Sequence, residues 1–223
     1  MSNTYIIADI HGCFKTFKKL VTKGLKLKKS DTLYLLGDYI DRGPDSRAVI
    51  DFILELRKSK YKVHTLRGNH EQFLMDSLKD EEVNEFWVNH CGGNAALSSF
   101  KIRSVSELSK EHLDFFNQTQ YYLETDYFFL VHAGLNFSIA NPLEDKEAML
   151  STRKHIINRK FLQNRVLIHG HTPIPMIKLM SQKMKNRINL DGGCVFEDYE
   201  GLGNLFALNF FERKLLCERN IDF

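Results

Sequence analysis

The chain has 223 residues, 43% of them hydrophobic and 26% charged, with a formal net charge of +3. That length can bury a sizeable core as one domain over residues 1–223, with no repeat and no low-complexity segment. So small a net charge gives no argument for nucleic acid or a membrane surface as a partner.

The opening MSNTYIIADIHG lacks the basic start and apolar core of a signal peptide. Within it TYIIAD reads as a strand leading to a helix near Phe14 to Lys23. The lysines between Lys15 and Lys29 run among Phe14, Phe17, Leu20 and Val21 at helical spacing, so they read as a solvated face. TLYLLGD is a second strand, followed after a turn by a helix near Ser46 to Lys58 with Val49, Ile50, Ile53, Leu54 and Leu56 on its apolar side. YKVHTLRGN leads to a third helix from about Glu71. This β-α-β-α-β-α order predicts an α/β fold with a largely parallel core. Residues 80–118 carry helical patterns around Val83 to His90 and Leu108 to Phe116, and the only tryptophan, Trp87. They read as a helical cap without obvious chemistry. YFFLVHAG, RVLIHGH, RINLDGG, NLFALNF and KLLCER are short strands, the last three nearly consecutive, which predicts a mixed sheet and a second sheet packed on the first. No run approaches the roughly 18 apolar residues of a membrane span. Cys13, Cys91, Cys194 and Cys217 are scattered without a CxxC pair, and they read as reduced thiols of a cytoplasmic protein.

Five strand candidates end in a short polar word: ADIHG, GDYIDRG, RGNHE, VHAG and IHGHT. In open α/β sheets ligands bind outside the carboxyl ends of the strands, so these words can converge on one place. Each alone has a plainer account. Asp9 and His11 could be a helix cap and a surface residue; Asn69, His70 and Glu71 a capped helix start; His132 and His171 satisfied core histidines. Jointly those accounts fail. GDxxDRG alone fixes five residues, each with a background frequency of roughly 1 in 20, so chance gives it about once in some millions of starting points.

Asp9-x-His11, Gly37-Asp38-x-x-Asp41-Arg42-Gly43, Gly68-Asn69-His70-Glu71, His132-Ala133-Gly134 and Gly170-His171-Thr172 match, in order, the motifs of the metal-dependent phosphoprotein phosphatase family. That family lies within the calcineurin-like metallophosphoesterases, and the chain most resembles its small bacterial serine/threonine phosphatase branch. The resemblance implies an α/β fold of two mixed β-sheets, sandwiched and flanked by helices, with a two-metal site at the strand ends. It implies that Asp9, His11 and Asp38 hold one metal and that Asp38, Asn69, His132 and His171 hold the other, with Asp38 bridging. Imidazole, carboxylate and amide oxygen together suit Mn²⁺, iron or Zn²⁺ better than an all-oxygen Ca²⁺ site. The family points first to a pair of Mn²⁺ ions.

By the same resemblance a metal-bound hydroxide attacks phosphorus directly, with no phospho-enzyme. Arg42 clamps the phosphate through its planar fork, with Asn69 beside it as a second phosphate contact. His70 protonates the leaving group, and Asp41 holds its imidazole. Related phosphatases often carry Trp-Ile-Arg where this chain has Ser151-Thr152-Arg153; Arg153 is expected as a further phosphate ligand, with Arg159 and Arg165 as fallbacks. Pro173 stands where the wider superfamily often has a second histidine, which favours the phosphatase branch and leaves His169 structural or behind the ligands. Asp191 is weighed as support behind the ligands and Cys194 as a small buried residue. His64, His90, His112 and His155 lie outside every motif and read as structural or solvent-facing.

The expected function is therefore metal-dependent hydrolysis of phosphomonoesters, with phosphoserine and phosphothreonine in proteins placed ahead of small phosphoesters. The rival is a dinucleoside polyphosphate hydrolase of the diadenosine tetraphosphate type, which shares these motifs. Asp41 in the DRG word and Glu71 in the GNHE word tilt the expectation toward phosphoproteins. A catalytically dead phosphate-binding scaffold would have lost ligands, and none of the expected ones is missing.

Overall fold

A computed structural model of the chain describes residues 2–153, 156–182 and 186–223. Its first part alternates strand and helix: β1 (Thr4–Ile7), α1 (Phe14–Lys19), β2 (Thr32–Leu35), α2 (Ser46–Lys58), β3 (Lys62–Thr65) and α3 (Asn69–Asp76). The three strands pair in parallel, Thr4 opposite Thr32 and Thr32 opposite Lys62. Helix α2 starts where Asp45 accepts the Ala48 amide, and it buries Val49, Ile50, Ile53 and Leu56 along one side. The helix expected to reach Lys23 ends at Lys19; a π-helical turn, Leu20–Gly24, then keeps Leu20 and Val21 in the core.

Next come α4 (Glu81–Phe86), a π-helical turn (Trp87–Cys91), α5 (Gly93–Phe100) and α6 (Lys110–Asn117). Trp87, Ala96, Phe100, Phe115 and Phe116 from this segment join Phe17, Ile50 and Ile53 in the core on one face of the β1–β3 sheet. The segment is thus packed into the main core and does not sit over it as a loose cap.

The remaining elements are β4 (Tyr122–Glu124), β5 (Phe128–Val131), α7 (Lys146–Ser151), α8 (Arg159–Leu162), β6 (Val166–His169), α9 (Met176–Met180), β7 (Arg187–Asn189), β8 (Asn204–Asn209) and β9 (Lys214–Arg219). The sheets run in the orders β3-β2-β1-β8-β9 and β4-β5-β6-β7. The last three strands therefore do not share a sheet. β7 pairs in parallel with β6, whereas β8 returns to run antiparallel to β1 and β9. Between them Asp191 Oδ1 accepts the Gly193 amide at 2.8 Å and turns the chain across. β8 is buried at every position, so it needs an interior place between two strands.

Alternation along the strands fills three layers. Ile6, Ala8, Leu36 and Leu66 of the first sheet meet Leu130, Ile168 and Ile188 of the second. The second sheet's other face, with Phe129, Val131 and Leu167, packs on Met149 of α7 and Leu162 of α8. Two mixed sheets lie face to face with helices outside each. Among the described residues no helix is long and apolar enough to cross a membrane, and the four cysteines are free. The segments that follow β1, β2, β3, β5 and β6 carry Asp9, Asp38, Asn69, His132 and His171 in turn, Asn69 as the first residue of α3.

Candidate metal centre

Asp38 is the hub. The imidazole Nε2 atoms of His132, His11 and His70 lie 3.4, 3.5 and 3.9 Å from its Oδ2. Its Oδ1 accepts the His70 amide at 3.1 Å. Asp38, His11, His70 and His132 are all buried. Main-chain carbonyls aim two of the rings: His11 Nδ1 donates to the Ile40 carbonyl at 2.8 Å, and His132 Nδ1 to that of Leu36 at 3.0 Å. Each thereby turns Nε2 toward the cluster. Asn69 Oδ1 sits 3.1 Å from His132 Nε2 and 3.0 Å from His171 Nδ1. Both oxygens of Asp9 accept the His171 amide at 3.1 Å.

The backbone is bent to make this possible. His11, Asp38, Asp41, Arg42 and His171 have φ of 46°, 52°, 73°, 67° and 68°, a region that side-chain-bearing residues rarely occupy. Strain of this kind gathers where function over-determines the conformation. Two glycines make room for the carboxylates: a Cβ on Gly68 would overlap Asp38 Oδ1, and one on Gly170 would overlap Asp9 Oδ1.

Charge is distributed unevenly across the cluster. Burial alone would raise Asp38, but His132, His70 and His11 hold its carboxyl well below the ordinary range. Burial opposes charging of His132, yet Asp38, Asp9 and Glu71 push it up to about 10. Burial, with Arg42 and then His70 as neighbours, drives His11 well down. Burial and His132 take His171 down to about 3. Burial pushes Asp9 up to about 7, with His132 opposing and Asp38 reinforcing the rise. The ionised Asp38 and the neutral His11 and His171 are in the states in which such groups bind cations.

Two sets of ligand atoms among the described residues could hold an ion: His11, Asp38 and His70, and Asp38, His132 and His171. Asp38 belongs to both, as a bridging carboxylate would. Imidazole and carboxylate donors make up both sets, a chemistry that fits a pair of cations. The sets differ from the expected pairing in one respect. His70 stands beside His11 and Asp38, while Asp9, buried against the like charge of Asp38, turns both oxygens to the His171 amide.

His70 Nδ1 lies 2.6 Å from Asp41 Oδ2. The exposed Arg42 brings Nη1 to 2.8 Å from His11 Nε2, with its guanidinium 5.3 Å over the Phe196 ring. Arg153 is exposed at the other end, where Nη1 lies 3.4 Å from Thr172 Oγ1, next to His171. The fallback arginines are engaged elsewhere: Arg165 with Glu124 at 2.6 Å, and Arg159 against Asn186. Asp191 is buried beside the charge of Asp9, and burial raises its carboxyl strongly. His169 is buried with Nδ1 3.0 Å from the Gly170 carbonyl, outside the two sets of ligand atoms. Cys194 is buried. His64 stacks on Tyr34, His90 lies tilted against Phe86, and His112 bonds Asp51 at 2.8 Å. His155 lies outside the described residues.

Two participants escape the sequence. Glu71, the last letter of GNHE, is fully buried and accepts the amides of Asp38, Tyr39 and Gly68 at 2.8, 2.8 and 2.9 Å. Trp87 donates Nε1–H to Asp41 Oδ2 at 2.7 Å, so the segment read as chemically silent touches the carboxylate that meets His70. The only signal for it was a lone tryptophan followed by Gly92-Gly93.

The family model for calcineurin-like phosphoesterases matches residues 2–215. Over 67 residues, 30% of its length, the chain is 45% identical to a symmetrical bis(5'-nucleosyl)-tetraphosphatase of Buchnera aphidicola subsp. Schizaphis graminum. That match spans 23% of the relative's own length. A crystal structure of a candidate diadenosine tetraphosphatase superposes with a TM-score of 0.71 at 19% identity, covering 100% of this chain and 95% of the other. A protein serine/threonine phosphatase of Saccharomyces cerevisiae gives 0.59 at 15% identity, over 100% and 81%. At those identities the two structures share the fold.

Proposed function

The chain belongs to the calcineurin-like phosphoesterase family, and from that premise we propose that it hydrolyses the phosphoanhydride chain of a dinucleoside polyphosphate, of the diadenosine tetraphosphate type. The observation that carries the substrate class is the 45% identity to a symmetrical bis(5'-nucleosyl)-tetraphosphatase. The expectation of phosphoserine and phosphothreonine gives way to its rival, for a physical reason. Asp41 and Glu71, the residues that tilted it, face inward: Asp41 holds His70 and Trp87, and Glu71 holds three backbone amides. Both are fully buried on these partners, which leaves them no evident part in choosing between leaving groups.

In this reading Asp9, His11 and Asp38 would hold one divalent cation, with Asp9 turning from the His171 amide to reach it, and Asp38, Asn69, His132 and His171 would hold the other, Mn²⁺ first with iron or Zn²⁺ as alternatives. Bound cations would supply an acidified water and neutralise charge at phosphorus. The protein's own groups do the rest. Arg42 at the His11 end and Arg153 at the His171 end offer guanidinium forks to an anion several phosphates long, a role that a point-like ammonium fills less well. Asn69 orients the phosphoryl group from between them. His70, its Nδ1–H on Asp41, gives the Nε2 proton to the bridging oxygen as the P–O bond breaks. A nucleoside diphosphate leaves more readily than a serine alkoxide, so this proton matters less for the polyphosphate than for a phosphoprotein.

Symmetrical cleavage of diadenosine tetraphosphate adds one water and yields two ADP. Nucleotide analysis after incubation with Mn²⁺ should show ADP alone. AMP with ATP would reject the symmetrical cut, and intact tetraphosphate beside hydrolysed p-nitrophenyl phosphate would reject the proposal.

A further inference from the structure

Trp87 opens the π-helical turn before Gly92 and is fully buried. Its Nε1–H reaches Asp41 Oδ2 at 2.7 Å, the same oxygen that His70 Nδ1 meets at 2.6 Å. Asp41 Oδ1 is buried with no hydrogen-bond partner among the described residues. A carboxylate held by an imidazole alone can turn about its Cβ–Cγ bond. A second donor on a separate element removes that freedom.

The indole is fixed in its turn. A Cβ on Gly93 would lie 2.5 Å from Trp87 Cδ2, so only glycine lets the ring lie against the start of α5. Gly92, at φ 92°, accepts the Arg42 amide through its carbonyl at 3.3 Å, and a Cβ there would lie 2.8 Å from Arg42 N. The stretch WVNHCGG therefore grips both Asp41 and Arg42, neighbours whose left-handed backbone needs support from outside the turn.

We propose that Trp87 is a positioning residue: by pinning the Asp41 carboxylate, it holds His70 with Nε2 toward the phosphate, while Gly92 and Gly93 seat the indole. In the step it serves, water adds to phosphorus and gives up a proton to solvent, the bond to the leaving oxygen breaks, the Nε2 proton of His70 goes to that oxygen, and His70 regains a proton from solvent before the next turnover. The Nδ1–H of His70 stays on Asp41, which remains ionised. The inference rests on His70 as proton donor in phosphoester hydrolysis, and not on which phosphoester is the natural one.

Trp87→Phe keeps the ring and removes the donor. Rates in Mn²⁺ are compared on phenyl phosphate, whose leaving group needs a proton, and on p-nitrophenyl phosphate, whose leaving group does not. The first kcat should fall about tenfold or more, the second by less than about threefold, with both KM values kept. In a His70→Asn background the same change should alter neither rate. Equal losses on both substrates, or a full further loss on top of His70→Asn, would overturn the proposal and leave Trp87 as core filling. A readout independent of turnover covers a variant that fails to fold or a wild type inactive on aryl phosphates. The single tryptophan gives one indole N–H resonance. In the wild type it should be protected from solvent exchange, and it should shift in Asp41→Asn; free exchange or indifference to Asp41→Asn overturns the proposal as well.

Discussion

Glu71 Oε2 accepts the backbone amide of Asp38 at 2.8 Å, so the residue at the hub of the cluster is held through its main chain by a carboxylate from the first turn of α3. The same carboxylate takes the amides of Tyr39 and Gly68, and so joins the strand-end loops after β2 and β3. Burial, with Asp38 as a like charge, pushes the Glu71 carboxyl up to about 7 against the pull of those three amides.

Glu71→Gln swaps one acceptor oxygen for an NH₂ group that faces amide donors. The loss should be about 2–4 kcal/mol of stability, from a charged buried hydrogen-bond set left partly unmade. Urea unfolding of the metal-free protein checks it: the midpoint should fall with the slope unchanged.

Gly170→Ala puts a methyl group into Asp9 Oδ1, and Gly68→Ala one into Asp38 Oδ1. Neither neighbour is a flexible chain end, so the carboxylates must move. Metal content after Mn²⁺ loading, measured by atomic emission, should drop well below that of the wild type for both. Full loading of either variant would show that these oxygens do not hold the metal.

Arg42→Lys keeps the charge but loses the planar fork that lies over Phe196. The expected result is a rise of about tenfold or more in KM for the polyphosphate, with metal content unchanged. Steady-state kinetics alongside metal analysis separates this from damage to the cluster.

Cation binding should release protons in a pH-dependent number. In the metal-free cluster the neighbouring carboxylates push His132 up to about 10 and burial pushes Asp9 up to about 7, while His11 and His171 are driven down and Asp38 is held low, the directions that leave them in their metal-binding states at neutral pH. A cation displaces only protons that are present, so Mn²⁺ should release about two per protein at pH 6 and about one at pH 8.5. Calorimetry in buffers of different ionisation enthalpy counts them. Pre-loss of the His132 proton by pH 8.5 would appear as no release.

The strand ends were legible because five parallel-type strands each finish in a polar word, and a sheet brings such ends to one side. Helix α2 was legible to its last residue, since Asp45 caps it and its apolar spacing is unbroken. The short β4 was not, being two half-buried residues and an exposed one. Nor was α5, because it begins at the second of two glycines and so looks like a loop. The crossing from β7 to β8 was hidden for another reason: pairing partners are chosen by burial on both faces, which three adjacent apolar runs do not reveal. Trp87 and Glu71 act through polar contacts made inside the core, where sequence shows only a tryptophan and a motif letter. The expectation of a phosphoprotein leaned on Asp41 and Glu71, whose partners are internal.

The central claim is that the cluster around Asp38 cuts a dinucleoside polyphosphate in preference to a phosphoprotein. Its most direct test is kcat/KM for diadenosine tetraphosphate and for a phosphoserine peptide, measured in Mn²⁺ on one preparation. The account predicts that the tetraphosphate exceeds the peptide by at least about tenfold, a difference of about 1.4 kcal/mol in transition-state stabilisation. A peptide hydrolysed as fast as the tetraphosphate, or faster, would contradict it.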